Sequence, residues 1–275
     1  MSDFRMILAA ACCATVLAVP AAHAADASDW SEDTRSAVRL IAGTNNYGQV
    51  LRAGLEIKLT PGWKTYWRYP GDSGVPPKFD FAGSENVATA RVFYPAPALH
   101  SDDTGQTLVY EKGVVFPLRV VPKEPGKPVR LRVKIDYAVC EKLCVPAEGR
   151  ADLPLGPGAS GEDAKLKAAE ARVPSPATAA EAGLVLRRIA GGTKPQVTVD
   201  VAAPGDAPVQ VFVEGPTADW ALPIPKPVQG APAGHRQFTF ELDGLPPGID
   251  PKSRFDLRVT VLKGTRAQEV VAHLD

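Results

Sequence analysis

The sequence predicts an all-β protein, two β-sandwiches joined by a helical linker, and three observations carry that expectation. Short apolar alternations of period two recur along most of the chain. The 27 prolines and 24 glycines fall between these alternations as turn signals. A single stretch is rich in Ala, Lys and Glu and favours helix.

The first 24 residues read as a leader. A weakly basic start with Arg5 is followed by an apolar run from Met6 to Val19 and a small-residue close at Ala22, His23 and Ala24. That order is a secretory signal peptide cleaved after Ala24, and it predicts export to an oxidising compartment. The run is shorter than the ~20 residues of a membrane span, and no later segment approaches one. Cys12 and Cys13 leave with the leader, and the residues before them lack the leucine a lipid-attachment cysteine requires.

The first sandwich is expected over residues 25–155. Gln49 to Thr60 alternates with Leu51, Leu55, Ile57 and Leu59 inward, then stops at Pro61-Gly62. Further strands are expected at Thr89 to Tyr94, Leu108 to Val121 and Val129 to Tyr137. One buried and one wet face per strand is the mark of antiparallel sheet. The linker is expected over 156–183, with helix from Gly161 to Val173 halted by Pro174 and Pro176. The second, smaller sandwich, 184–275, is expected from strands at Leu184 to Ile189, Gln196 to Val201, Val209 to Val213, Gln237 to Leu242, Phe255 to Leu262 and Glu269 to Leu274. Its histidines, His235 and His273, have no partner close in sequence, so this part reads as scaffold, docking or spacing.

Acidic and basic residues balance at 31 each, without a basic run, which points away from nucleic acid and anionic membrane surfaces. There is no Ser/His/Asp grouping and no phosphate-cradling glycine loop. The chemistry lies in Cys140 and Cys144, the two cysteines outside the leader. A structural disulfide, a Cu(I) clip and a redox dithiol all use such a pair. Closing so short a loop constrains the unfolded chain by only ~2 kcal/mol, too little for a protein of this size to need. Cu(I) would take two soft thiolates with His100 as a possible third ligand, but both methionines, Met1 and Met6, lie in the leader. A redox pair needs an attacking thiolate, a resolving thiol and access. Lys142 would lower a thiol pKa and Glu141 would oppose it. The Cys-x-x-Cys motif of thioredoxins is absent.

Four ordered segments around this pair resemble the N-terminal periplasmic domain of the thiol:disulfide interchange protein DsbD and its copper-tolerance relatives. They are Ile57 to Phe79 (IKLTPGWKTYWRYPGDSGVPPKF), Tyr94 to His100 (YPAPALH), Val114 to Leu118 (VVFPL) and Tyr137 to Ala147 (YAVCEKLCVPA). The resemblance implies an immunoglobulin-like sandwich without a cofactor, whose Cys140 and Cys144 pass electrons between proteins, with Cys140 as the point of attack on the acceptor side by analogy. It implies Tyr66, His100, Tyr110 and Tyr137 as lining or cap residues, the cap being His100 to Tyr110. The implied partners are a membrane-embedded DsbD-like donor or a thioredoxin-like protein, and periplasmic disulfide-bearing acceptors. The chain ends without transmembrane or thioredoxin-like parts, so the donor is expected to be a separate protein. The cysteines are closer together than in the best-known relatives, and the cap stretch lacks their adjacent aromatics. Trp63, Trp67 and Tyr69 read equally as core and rim, Pro70 to Gly74 as a turn, and Asp102 and Asp103 as solvated loop acids.

Overall fold

A computed structural model describes residues 25–46, 50–103, 105–189 and 194–275. The expected leader, with Cys12 and Cys13, and the expected strand start at Gln49 lie outside the described residues. The first part runs through β1 (Ser31–Glu32), β2 (Ser36–Ala42), β3 (Leu51–Leu59), β4 (Thr65–Gly71), β5 (Lys78–Asp80), β6 (Val87–Val92), β7 (Ala98–Asp102), β8 (Gly105–Tyr110), β9 (Val114–Pro122), β10 (Val129–Cys140) and β11 (Cys144–Leu155). One sheet has the order β1-β2-β3-β9-β6; facing it are the sheets β11-β10-β5 and β4-β8-β7. Leu40, Leu55, Ile57, Phe116 and Leu118 from the first meet Trp67, Leu108, Leu131, Ile135 and Leu153 from the others in one buried core. This is the predicted sandwich, immunoglobulin-like in architecture.

The long strand expected over Leu108 to Val121 is two strands, β8 and β9. Gly113 turns the chain between them at φ +86°, and a β-carbon there would stand 2.4 Å from the Ile57 carbonyl oxygen. Alternation continues across such a tight turn, so pattern alone does not mark it. Conversely, Val129 to Tyr137 extends to Cys140, where β10 and β11 form a hairpin in continuous antiparallel register from Val129↔Leu155 to Cys140↔Cys144.

Helix α1 (Asp163–Glu170) is shorter than expected and is not a loose tether. Its Leu166 is fully buried, seated over Gly54 beside Ile41 and Val115 on the outer face of the first sheet. Arg52 bridges to Asp163 at 2.7 Å and Glu170 at 2.8 Å, Arg119 to Glu170 at 2.8 Å, and Arg39 to Glu162 at 2.8 Å. Strand β12 (Ser175–Pro176) and helix α2 (Ala179–Ala182) follow; α2 starts with a Thr178/Glu181 capping box.

The second sandwich comprises β13 (Leu184–Ile189), β14 (Gln196–Ala202), β15 (Val209–Glu214), β16 (Lys226–Val228), β17 (His235–Glu241), β18 (Phe255–Lys263) and β19 (Arg266–Leu274). Its sheets, β12-β19-β18-β15 and β13-β14-β17-β16, enclose Val197, Val199, Val211, Val213, Phe240, Val259 and Val270. Strand pairing gives both histidines partners that sequence distance hid. His235 Nδ1 lies 2.6 Å from Asp200 Oδ1, and His273 meets Asp256, its neighbour across β18 and β19. Phe212 and Glu214, out of phase with Val211 and Val213, project from this sandwich toward β4.

Candidate redox site

Alternation along β10 sorts its residues between two environments. Tyr137 and Val139 point into the core, whereas Ala138 and Cys140 point outward and form a small buried cluster with Tyr66 and Val109. The disulfide therefore lies on the outer face of the sheets formed by β10, β4 and β8. Cys140 and Cys144 are bonded, with Cα atoms 4.2 Å apart. Their exposure differs sharply, since Cys140 is 2% exposed and Cys144 lies open at the start of β11. Leu143, at the turn between them, is 79% exposed.

Tyr66 reaches both sulfurs. Its hydroxyl donates to Cys140 Sγ at 2.9 Å and lies 3.1 Å from Cys144 Sγ. Burial, with the Asp102 charge as a second contribution, raises the phenol pKa, so the group stays a protonated donor at neutral pH. The ring is covered by the loop after β4. Gly74 there has φ +116°, and a β-carbon would stand 2.4 Å from Tyr66 Cε1. Thr65 adds a bond from Oγ1 to the Ala138 carbonyl at 2.9 Å.

The residue before Thr65 is also part of the site. Lys64 exchanges backbone hydrogen bonds with Cys140, both at 2.8 Å. Its side chain is largely buried, and its ammonium lies 3.5 Å from Asp102 Oδ2. Asp102 also lies 3.4 Å from His100 Nε2, at the tip of the β7–β8 hairpin that corresponds to the expected cap. Asp72 braces that hairpin by accepting the Gln106 N–H at 2.8 Å.

Several expectations change here. Of the four lining residues, Tyr66 alone bonds the sulfurs. Tyr137 gives its hydroxyl to a 2.7 Å contact with Ser36 Oγ, and Tyr110 donates to the Pro95 carbonyl at 2.7 Å. Both are core residues because they are one position out of phase with Cys140 and Val109, so their side chains leave the opposite face of the sheet. His100 is occupied by Glu111 at 3.2 Å and by Asp102, within the hairpin rather than at the sulfurs. Asp102 is a member of the charged cluster and not a free loop acid. Lys142 and Glu141 are exposed, and the cation next to Cys140 through the backbone is Lys64. Cys140 is the shielded sulfur and Cys144 the accessible one, the reverse of the expected point of attack. Lys64 carried one unused signal, a lysine within the WKTYW run that leads into the buried first half of β4.

Among the described residues, no group of three or more His, Cys, Asp or Glu side chains is arranged to hold a metal ion. No helix of the described residues is long and apolar enough to cross a membrane.

Residues 35–155 match the family described as thiol:disulfide interchange protein DsbD, N-terminal. No curated protein matches the chain. Among solved structures, the crystal structure of the N-terminal periplasmic domain of ScsB from Proteus mirabilis is similar in fold. Its TM-score is 0.72 at 20% identity, over 91% of this chain and 98% of that one. The similarity thus extends through both sandwiches, whereas the family match ends with β11. Residues 35–155, which run from β2 to β11 and carry the cysteine pair at the end of the β10–β11 hairpin, are thus the part of the chain that matches the DsbD N-terminal family of thiol:disulfide interchange proteins.

Proposed function

We propose that the protein exchanges electrons with partner proteins through Cys140 and Cys144 in the periplasm. The observation that carries this reading is the asymmetry of the disulfide, with one sulfur open and the other buried under a phenol hydroxyl. A thiolate on a donor protein attacks Cys144 Sγ in line with the S–S bond. That bond breaks, its electron pair leaves on Cys140 Sγ, and a donor–Cys144 mixed disulfide forms. The Tyr66 O–H stabilises the departing thiolate, which then takes a proton from solvent. The donor's second thiolate attacks the donor's sulfur in the mixed disulfide and releases Cys144 as a thiolate, which also takes a proton from solvent. Two electrons and two protons have then moved, leaving the donor oxidised and the pair reduced.

The acceptor half-reaction runs in the opposite sense. The Cys144 thiolate attacks an acceptor disulfide, and Cys140 resolves the mixed disulfide. Fitting donors are a membrane-embedded DsbD-like protein or a thioredoxin-like protein, and fitting acceptors are periplasmic proteins with accessible disulfides.

Equilibration with glutathione buffers, with thiols counted by mass spectrometry, tests the couple. The expected result is a reversible two-thiol transition of the folded protein, and a pair that never cycles overturns the reading. A Cys140→Ser variant should trap partners as mixed disulfides through Cys144. Preferential trapping by Cys144→Ser would overturn the assigned asymmetry.

A further inference from the structure

Strand β4 belongs to both the cysteine site and the contact between the two sandwiches. Its pairing with β8 is interrupted: Thr65↔Tyr110 and Tyr66↔Val109 are in register, and the next pair is Gly71↔Thr107. Trp67 to Pro70 therefore bulge away from their neighbour immediately after the residue that bonds the sulfurs. The second sandwich grips that bulge. Trp67 packs against Phe212 with centroids 5.9 Å apart. The Arg68 guanidinium lies over the Trp67 ring at 4.4 Å and forks onto Glu214 at 2.6 and 2.8 Å while also meeting Glu269. The Tyr69 hydroxyl donates to the Leu222 carbonyl at 2.7 Å. Phe212 and Ile224, though parts of the second sandwich, are buried in the core cluster of the first.

Burial opposes the Arg68 charge, yet the hydrogen bonds and negative charges of Glu214 and Glu269 together more than compensate, and its pKa is raised. An ion pair so shielded is orientationally demanding, because a misplaced guanidinium would leave charge buried without a partner. It therefore sets where the β4 backbone lies, two residues from Tyr66. Each outward group of β15 and β19 used here comes from a strand whose inward residues close the second core. The grip is thus as rigid as that core.

We propose that the second sandwich is a positioning element of the redox site: it holds the bulged half of β4 and thereby keeps the Tyr66 hydroxyl between the two sulfurs. Its role is to tune the cysteine pair as well as to add mass or a docking face. This rests on the reading of Cys140 and Cys144 as a redox couple, but its test needs no partner protein.

The test uses the full chain in a Cys144→Ser background, where Cys140 is the single thiol outside the leader. The pH dependence of Cys140 alkylation by iodoacetamide is compared among the parent, Glu214→Gln/Glu269→Gln, Tyr66→Phe, and the combination. Neutralising the two acids should slow alkylation at neutral pH in the same direction as Tyr66→Phe, by about threefold, the coupling expected of residues in one contact network. The combination should be no slower than Tyr66→Phe alone. An unchanged pH profile in the acid variant, or an equal slowing with and without Tyr66, overturns the proposal. Tyr69→Phe, which removes one hydroxyl and keeps the packing, covers the case in which the double variant fails to fold. It should give a smaller slowing that also vanishes in the Tyr66→Phe background, and an effect that survives there overturns the proposal. If the unmodified pair fails to cycle with glutathione while this coupling is found, the functional reading falls and the positioning role stands.

Discussion

Replacing Tyr66 with Phe removes one oxygen and leaves the ring beneath Gly74 in place. In the reduced protein the lost hydroxyl is a donor to the Cys140 thiolate, at the site where it stands 2.9 Å from Sγ in the disulfide form. A hydrogen bond to a charged group contributes about 1.5 to 3 kcal/mol. The exposed Cys144 side of the site lets water replace part of it, so the lower end applies. About 1.4 kcal/mol corresponds to one pKa unit, and the Cys140 thiol should rise by about that much. The thiolate fraction below the pKa then falls about tenfold, while the more basic thiolate is intrinsically faster with a Brønsted slope of about 0.5. The net expectation is alkylation slowed by about threefold at neutral pH, with the midpoint of the pH profile moved up by about one unit. The sign follows from the raised pKa of Tyr66 itself, which keeps the phenol a donor rather than a phenolate across this range. Iodoacetamide kinetics on the Cys144→Ser background, read by mass spectrometry from pH 6 to 10, give the profile directly. A midpoint that stays where it was in a variant with an unchanged circular dichroism spectrum would refute the assigned role of the hydroxyl.

Other perturbations reach the scaffold. Leu166→Ala empties a fully buried seat on the outer sheet face and should cost about 2 to 3 kcal/mol, read as a lower urea midpoint. Acid should undock helix α1. Lys167, the Thr44 N–H and Arg52 hold the Asp163 carboxyl below its ordinary pKa, and at Glu170 the bonds to Arg52 and Arg119 outweigh burial to the same effect. Because these folded-state values are depressed, the stabilisation is complete above the unfolded carboxylate range near pH 4 and is lost as pH falls through the folded values. Urea midpoints compared at pH 5 and pH 3 should show the loss, and it should shrink in an Asp163→Asn/Glu170→Gln variant. Gly74→Ala forces a β-carbon into the Tyr66 ring at a positive φ and should cost about 1 to 3 kcal/mol while also slowing Cys140 alkylation. Unchanged stability and kinetics would show that the loop does not hold the ring.

The parts legible in the sequence are those governed by local pattern. Period-two alternation located β3, β10 and six of the seven strands of the second sandwich, missing the short β16, and the cysteine spacing with its flanking motifs singled out Cys140, Cys144 and Tyr66. Pattern failed where structure depends on what lies opposite. The turn at Gly113 interrupts no alternation, since its requirement comes from the Ile57 carbonyl packed against it. Short, irregular β4 and β7 carry little periodicity of their own, and they exist because β8 pairs with both.

The sequence by itself determined the chemistry, two thiols close enough to bond, in a chain whose alternating strands must form sandwiches to bury one face each. Tertiary structure decided the roles. Register placed Cys140 on the outer face with Tyr66 and sent Tyr110 and Tyr137 into the core, brought Asp102 and Lys64 together across separate strands, and gave Arg68 its partners 146 and 201 residues away. Which residues touch the sulfurs is set by the phase of each strand against its neighbours, and phase is a property of the assembled sheets, not of any one segment.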